Sequence, residues 1–506
     1  MRPRRLVVRV GILFGIVGLV TPLQPAMAEG PGINGGGSSF AALEIEAWRA
    51  AVARKPFSLK INYVAQGSTF GRLQFASGRF DFGASDIPYQ PGEASPQGGF
   101  AYVPVSAGGV GFMYNLADSS GRKVTDLKLT RRAACRIFTE PGMRWSDAEI
   151  VRHNPRLAGV DRDIRPVVRS DGSGTSYVLS QYCIAVAGDV WRKFIDTVVL
   201  TRPDQAAPLF KEGKPVSSWP IPGGRMTSAL AADGVANAVA DPVNGPDRIT
   251  YNEAGFAKVR GFPNAAVQNE SGRFTDAENT EAVTVALGYA IANRPGNEED
   301  GTFRLEYSGS DPRAYFPSTY SYALARTSDF PADKGQVLSR FLCYAVSKGQ
   351  EIAGRLGYAP LSSVLVDLSL RQIAKIPGFP GPENCVVAGS AAPPPPPELQ
   401  DGKGGKGGAG ADAEAKAKAD ADAKAKEGAA GEGGAGQDGE GALLLLDDEL
   451  AGDEEAAASA EADLDAKAAA ARSGRVTGRE VLWLLLQGAI LCGLAVGAAG
   501  WRRASA

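Results

Sequence analysis

The run Arg169-Ser170-Asp171-Gly172-Ser173-Gly174-Thr175-Ser176 constrains this chain more than any other stretch, because nearly every residue in it can hold an anion. The arginine offers a fork of fixed N–H donors, and several hydroxyls can point the same way. The two glycines let backbone N–H groups approach a ligand with no Cβ in between. Tyr177 to Tyr182 then read as a helix opening, so an anion held by the run would sit on a positive helix N-terminus. Taken alone, the same string is also a good turn sequence. Two further segments give it company: Phe80-Asp81-Phe82-Gly83-Ala84-Ser85-Asp86 and Gly35-Gly36-Gly37-Ser38-Ser39-Phe40.

With 506 residues, 44% of them hydrophobic, the chain can bury one large or two medium cores. A net charge of −2 argues against a nucleic-acid binder. Residues 30 to about 390 read as globular. Helical stretches such as Ala41 to Val52 alternate with short apolar strands such as Leu59 to Tyr63 and Val110 to Tyr114, which argues for α/β layers.

The three segments, in this order, resemble the phosphate-binding proteins of bacterial phosphate ABC transporters. The family's Gly-rich turn ending in Ser/Thr-Phe is matched by Ser39-Phe40, and its next element by Asn62-Tyr63-Val64-Ala65-Gln66-Gly67-Ser68. Asp81 to Asp86 and Arg169 to Ser176 match two more, and the stretch from Ile137-Phe138 through Trp145-Ser146-Asp147 to Asn154-Pro155 follows the pattern between them. The likeness spans roughly residues 32 to 378. It implies the two-lobed periplasmic binding protein fold (type II), with the ligand in the interlobe cleft. Lobe one would comprise 29–112, lobe two 113–312, and 313–390 would return to lobe one, with a helix from Asp333 to Lys348.

The resemblance also implies a ligand set. Ser39, the backbone N–H of Phe40, Ser68 and Asp86 come from lobe one, and Arg169, Ser173, the backbone N–H of Gly174 and Thr175 from lobe two. Asp171 is expected to pair with Arg169 and orient its guanidinium. Ser39 stands where many family members have Thr, and it keeps the hydroxyl. A carboxylate facing an anion is useful only if that anion still carries a proton, because an ionised Asp accepts and cannot donate. Phosphate near neutral pH carries at least one proton and sulfate carries none, so Asp86 is expected to select inorganic phosphate. In isolation Asp86 also suits a capping or turn position before Pro88.

The N-terminus reads as an export signal over 1–28: Arg2, Arg4, Arg5 and Arg9, then an apolar run Val10 to Val20, then Ala26-Met27-Ala28, with cleavage expected after Ala28. No Cys follows that run, so a lipid-anchored start is not expected; here the chain departs from many members of the family. Cys135, Cys183, Cys343 and Cys385 form an even set in an exported region, which favours two disulfides. Four cysteines allow three pairings. The preferred one joins Cys343 to Cys385, stapling down the last element, and Cys135 to Cys183; four buried free thiols are the alternative. No metal site is expected, since no C-x-x-C occurs and His153 is the only histidine.

Beyond Cys385 the composition changes. Pro393 to Pro397 should form a stiff spacer, and Gly-rich and Ala/Asp/Lys/Glu tracts make 391–478 a low-complexity linker with nothing to bury. Val481 to Gly500 is a charge-free run of about twenty residues, the length of one bilayer-spanning helix, followed by Trp501, Arg502 and Arg503. A single transmembrane helix over 479–501 and a cytoplasmic tail over 502–506 are therefore expected. The chain would be a monomer on the cell membrane with its globular domain on the extracellular side, handing phosphate to permease subunits of an ABC transporter and needing no cofactor. A hydrolase is the first rival reading, but no G-x-S-x-G elbow appears and a serine nucleophile would lack an evident base. A membrane-anchored surface interaction or phosphate-sensing protein on the same fold is the second.

Overall fold

The computed structural model describes residues 31–293 and 300–385. The signal expected over 1–28, the linker over 391–478, the membrane helix over 479–501 and the tail over 502–506 all lie outside the described residues. Among the described residues no helix is long and apolar enough to cross a membrane.

One strand organises the architecture. Phe100–Tyr114 runs for 15 residues and is buried from its second residue to its last. From Phe100 to Gly109 it pairs antiparallel with Ser318–Arg326; from Val110 to Tyr114 it pairs antiparallel with Arg248–Glu253. The same strand thus belongs to two sheets, and its partner changes between Gly109 and Val110. Only the second half was expected as a strand. Pro104 and the glycines at 108 and 109 disguise the first half, since both residue types normally weaken a strand interior. Pro104 is tolerated because the ladder shifts register beside it: Ser321 lies opposite Ser106, and Tyr322 opposite Pro104.

On the first side, Ile33–Gly37, Ile61–Val64 and Phe82–Ser85 form a parallel trio with Ile33–Gly37 in the middle, and Phe82–Ser85 also pairs antiparallel with Ser318–Arg326. Helices Ala42–Val52 and Ser68–Ala76 connect them, as parallel pairing requires. On the second side, Arg165–Arg169 pairs in parallel with both Thr227–Ala229 and Arg248–Glu253. In such sheets ligands gather outside the carboxyl ends of parallel strands. Those ends are Gly37, Val64 and Ser85 on one side, and Arg169 and Ala229 on the other.

Helix Gly174–Val186 is seated by Val178, Leu179, Tyr182 and Cys183, all fully buried. Burial of each large apolar side chain there contributes roughly 1.5–3 kcal/mol. Cys183 is joined to Cys135 on helix Arg131–Thr139, with Cα atoms 5.6 Å apart. Cys343, on helix Ala332–Val346, is joined to Cys385 with Cα atoms 5.1 Å apart, so the last described residues are tied to the body of the domain.

Candidate anion-binding site

Asp86 follows directly on the strand Phe82–Ser85 and is 4% exposed. Three hydroxyls surround its carboxylate. Oδ1 accepts from Ser38 Oγ in a short bond and from Ser321 Oγ at 2.5 Å, and Oδ2 accepts from Ser68 Oγ at 3.2 Å. The Asp86 backbone N–H in turn donates to Ser68 Oγ at 3.1 Å. Burial pushes the Asp86 carboxyl above its usual range, against the downward pull of Ser321, Ser38, the charge of Arg169 and Ser68. Asp86 caps no helix here; it is a buried group held by hydroxyl donors from three separate segments.

Arg169, 2% exposed, ends the strand Arg165–Arg169 and enters the same space from the other side. Asp171 grips it bidentately: Nε donates to Oδ1 at 2.7 Å, and Nη2 donates to Oδ2. Asp171 is itself fixed by the backbone N–H of Ala231, which donates to Oδ1 at 2.9 Å. Arg169 Nη2 also donates to Ser39 Oγ at 2.8 Å, and the N–H of Ala232 donates to the same oxygen at 3.0 Å. With two donors on its oxygen, Ser39 retains one O–H to give to something else. Arg169 Nη1 and Thr175 Oγ1 are buried without a protein partner, and a buried donor left unpaired is costly.

The two sides touch at their glycines. The N–H of Thr69 donates to the carbonyl of Gly172 at 2.9 Å. Gly67 adopts φ +97°, and a Cβ there would lie 2.1 Å from Asp171 Oδ2. A Cβ on Gly174 would lie 2.5 Å from Ser68 Oγ and 2.7 Å from Asp86 Oδ2. Only glycine permits this approach at either position. Gly174 opens helix Gly174–Val186, whose N-cap Ser173 accepts from the N–H of Ser176 at 3.1 Å. Gly174 at the helix N-terminus therefore meets Asp86 and Ser68, Thr175 follows it on the helix, and Arg169, bonded to Ser39, is close enough for its charge to act on Asp86.

Of the residues expected from sequence, Ser39, Ser68, Asp86, Arg169, Asp171, Ser173, Gly174 and Thr175 stand together. Phe40 packs its ring edge-on to Tyr358, which donates to the Phe40 carbonyl at 2.5 Å, so this residue anchors the start of helix Ala42–Val52. Sequence reasoning missed Ser38, Ser321, Tyr251 and Ala232. Tyr251 accepts from the backbone N–H of Arg169 at 3.3 Å and bonds Ser176 Oγ at 2.7 Å. Ser38 had a signal, its place in the Gly35–Phe40 segment. Ser321 had none, since it lies 235 residues from Asp86 along the chain. His153 packs its ring against Phe274.

A periplasmic-binding-protein-like α/β fold, with polar groups gathered where the carboxyl ends of its two sheets meet, is what sequence and geometry define together. A family model described as a PBP superfamily domain matches residues 24–347. The phosphate-binding protein PstS of Xylella fastidiosa (strain 9a5c) is 30% identical over 347 residues, covering 68% of this chain and 86% of that protein. The phosphate-binding protein PstS of Haemophilus influenzae is 28% identical over 340 residues, covering 67% and 91%. A solved phosphate-binding protein from Stenotrophomonas maltophilia gives a TM-score of 0.47 at 17% identity, covering 70% of this chain and 98% of that one. The chain belongs to the PstS family of phosphate-binding proteins. These relatives carry the name of binding proteins and not of enzymes.

Proposed function

We propose that this chain is an extracytoplasmic solute-binding protein that captures inorganic phosphate and delivers it to the permease subunits of a phosphate ABC transporter, tethered to the membrane by its C-terminal helix. The observation that carries the binding reading is a buried carboxylate, Asp86, set against Gly174 at a helix N-terminus and within reach of the Arg169 charge, with Arg169 Nη1 and Thr175 Oγ1 nearby in the chain and buried without a protein partner. Donors in such number can replace the hydration of an oxyanion, each charge-assisted bond contributing roughly 1.5–3 kcal/mol net. The carboxylate adds the selection: an anion carrying a proton can donate to Asp86, and one without a proton meets only repulsion. Family membership supports phosphate as that anion. The tether rests on the composition beyond Cys385 and on the export signal read from the sequence, and the transporter rests on the resemblance to the phosphate-binding proteins of phosphate ABC transporters.

The test is calorimetric titration of the purified protein, stripped of bound anion, with phosphate and then sulfate, beside Asp86→Asn. Submicromolar phosphate binding with sulfate silent, and weaker discrimination in the variant, is the expected result. A folded protein that takes up no phosphate would sink the reading.

A further inference from the structure

Asp86 Oδ1 accepts two hydroxyl hydrogens, one from Ser38 and one from Ser321 at 2.5 Å. A carboxylate oxygen has two lone pairs, so one that accepts two O–H groups has no position left for a proton of its own. Ser38 Oγ is itself held by the N–H of Ala41, 3.2 Å away, which leaves its hydrogen to point toward the carboxylate. Oδ2 is the oxygen near Gly174, and the one hydroxyl on it, Ser68, is longer at 3.2 Å. The carboxylate is therefore asymmetric, with one oxygen saturated by the protein and the other left toward the opposing donors.

Ser321 is delivered to that place by a local irregularity. It lies on Ser318–Arg326, the strand sandwiched between Phe82–Ser85 and Phe100–Tyr114, and the ladder shifts register between Ser321 and Tyr322. Tyr322 lies opposite Ser85, the residue just before Asp86. Such shifts re-aim a side chain, and they gather next to functional sites. Ser321 is fully buried, and no ligand residue expected from sequence comes from this strand.

We infer that Ser321, together with Ser38, is a specificity-determining residue: by filling Oδ1 it keeps the buried Asp86 ionised, so that Asp86 meets an anion only as an acceptor. Ser321 acts through Asp86 and is a positioning residue for it. This inference rests on the reading of the cleft as a phosphate site selected by Asp86, and adds the hydroxyls that keep this acceptor charged without having to touch the ligand. Burial alone would favour a neutral carboxyl, which would donate a hydrogen bond and accommodate sulfate.

The experiment measures phosphate and sulfate affinities of the full-length protein across the range from about pH 5.5 to 8.5, for wild type, Ser321→Ala, Ser321→Thr and Ser38→Ala. Losing one hydroxyl donor to a buried charge should lower the phosphate-over-sulfate preference roughly tenfold or more near neutrality. The pH below which sulfate begins to bind should rise by about one unit or more in both alanine variants, and Ser321→Thr should follow wild type. In wild type, the carboxyl carbon resonance of Asp86, assigned by its loss in Asp86→Asn, should report an ionised group at neutral pH, a readout that does not depend on the serine variants folding. A wild-type preference and pH profile in folded Ser321→Ala, or a protonated Asp86 in wild type at neutral pH, would overturn the inference while phosphate binding by wild type leaves the phosphate reading standing. A wild type that binds no phosphate would remove both.

Discussion

Gly174→Ala is the sharpest probe of the closed arrangement, because it adds one methyl group and removes no donor. The Cβ it introduces would lie 2.5 Å from Ser68 Oγ, 2.7 Å from Asp86 Oδ2 and 2.8 Å from Asp86 Cβ, where ordinary contact begins at 3.4 Å. Neither neighbour is a free-swinging tip. Ser68 is the first residue of helix Ser68–Ala76, and Asp86 is pinned by Ser38, Ser68 and Ser321. The two sides must therefore part by an amount on the order of 0.6–0.9 Å at this point, and overpacking of that kind typically costs about 1–3 kcal/mol. If the cost falls on the closed, anion-bound form alone, phosphate affinity drops about 5-fold to 150-fold. Without the anion, the sides can relieve the contact by moving apart, so the melting temperature of the stripped protein should barely change. Alanine is also a better helix former than glycine, so helix Gly174–Val186 is not weakened. Calorimetry gives the affinity, and thermal melting with and without phosphate gives the two stabilities. An unchanged phosphate affinity would refute the claim that Gly174 lies against Ser68 and Asp86 when the ligand is bound.

Two further outcomes follow from groups outside the cleft. Burial, partly offset by the Ser106 hydroxyl, pushes the Glu44 carboxyl from 4.5 up to about 8, so the folded protein holds this proton more tightly than the unfolded chain. Its stabilising contribution is complete below about pH 4.5 and falls by about 1.4 kcal/mol per unit until about pH 8. Glu44→Gln removes that slope, so urea unfolding should find it about 3 kcal/mol more stable than wild type at neutral pH and nearly equal near pH 4.5; parallel curves across pH would contradict the assignment. Replacing both Cys135 and Cys183 by Ser opens a link spanning 48 residues, and the chain-entropy relation puts the loss at about 4 kcal/mol. That loss should appear in the denaturation midpoint while phosphate affinity stays within a few-fold of wild type, since the link lies behind the helix and not at its N-terminus.

The sequence made some parts legible for definite physical reasons. Motifs at the ends of strands are local: Ser39, Ser68, Asp86 and the Arg169–Ser176 run each carry their turn chemistry within a few residues. Helix Ala42–Val52 was readable because its amphipathic pattern needs no partner to be seen, and Ala332–Val346 lies close to the Asp333 to Lys348 helix that the resemblance implied. What stayed hidden depends on pairing. The strand Leu59 to Tyr63, expected from apolar content, is found as Ile61–Val64, since parallel pairing to Ile33–Gly37 fixes where the ladder begins. The first half of Phe100–Tyr114 is a strand because neighbours on both sides impose it, despite Pro104 and two glycines. Asp86 itself was visible, but its hydroxyl shell was not, because Ser321 reaches it only through the return strand.

If the cleft binds phosphate as proposed, the hydroxyl shell around Asp86 bears on how selectivity is built. The donors on the second side, Arg169, Gly174 and Thr175, would bind any small oxyanion, and nothing in their geometry separates phosphate from sulfate. On the proposed reading, discrimination comes from the one acceptor, and an acceptor works only while it stays ionised. Burial strengthens every contact in the cleft, yet it also pushes Asp86 toward the neutral form that would cease to discriminate. The two requirements conflict unless the carboxylate receives compensating donors that are not the ligand. On the proposed reading Ser38 and Ser321 meet that need, with uncharged groups that stand outside the expected ligand set and add no charge to attract a competing anion. An arginine or lysine in their place would also hold Asp86 ionised, but its charge would cancel the repulsion that excludes sulfate. Hydroxyls are the side chains that keep the charge and leave its sign exposed to the ligand.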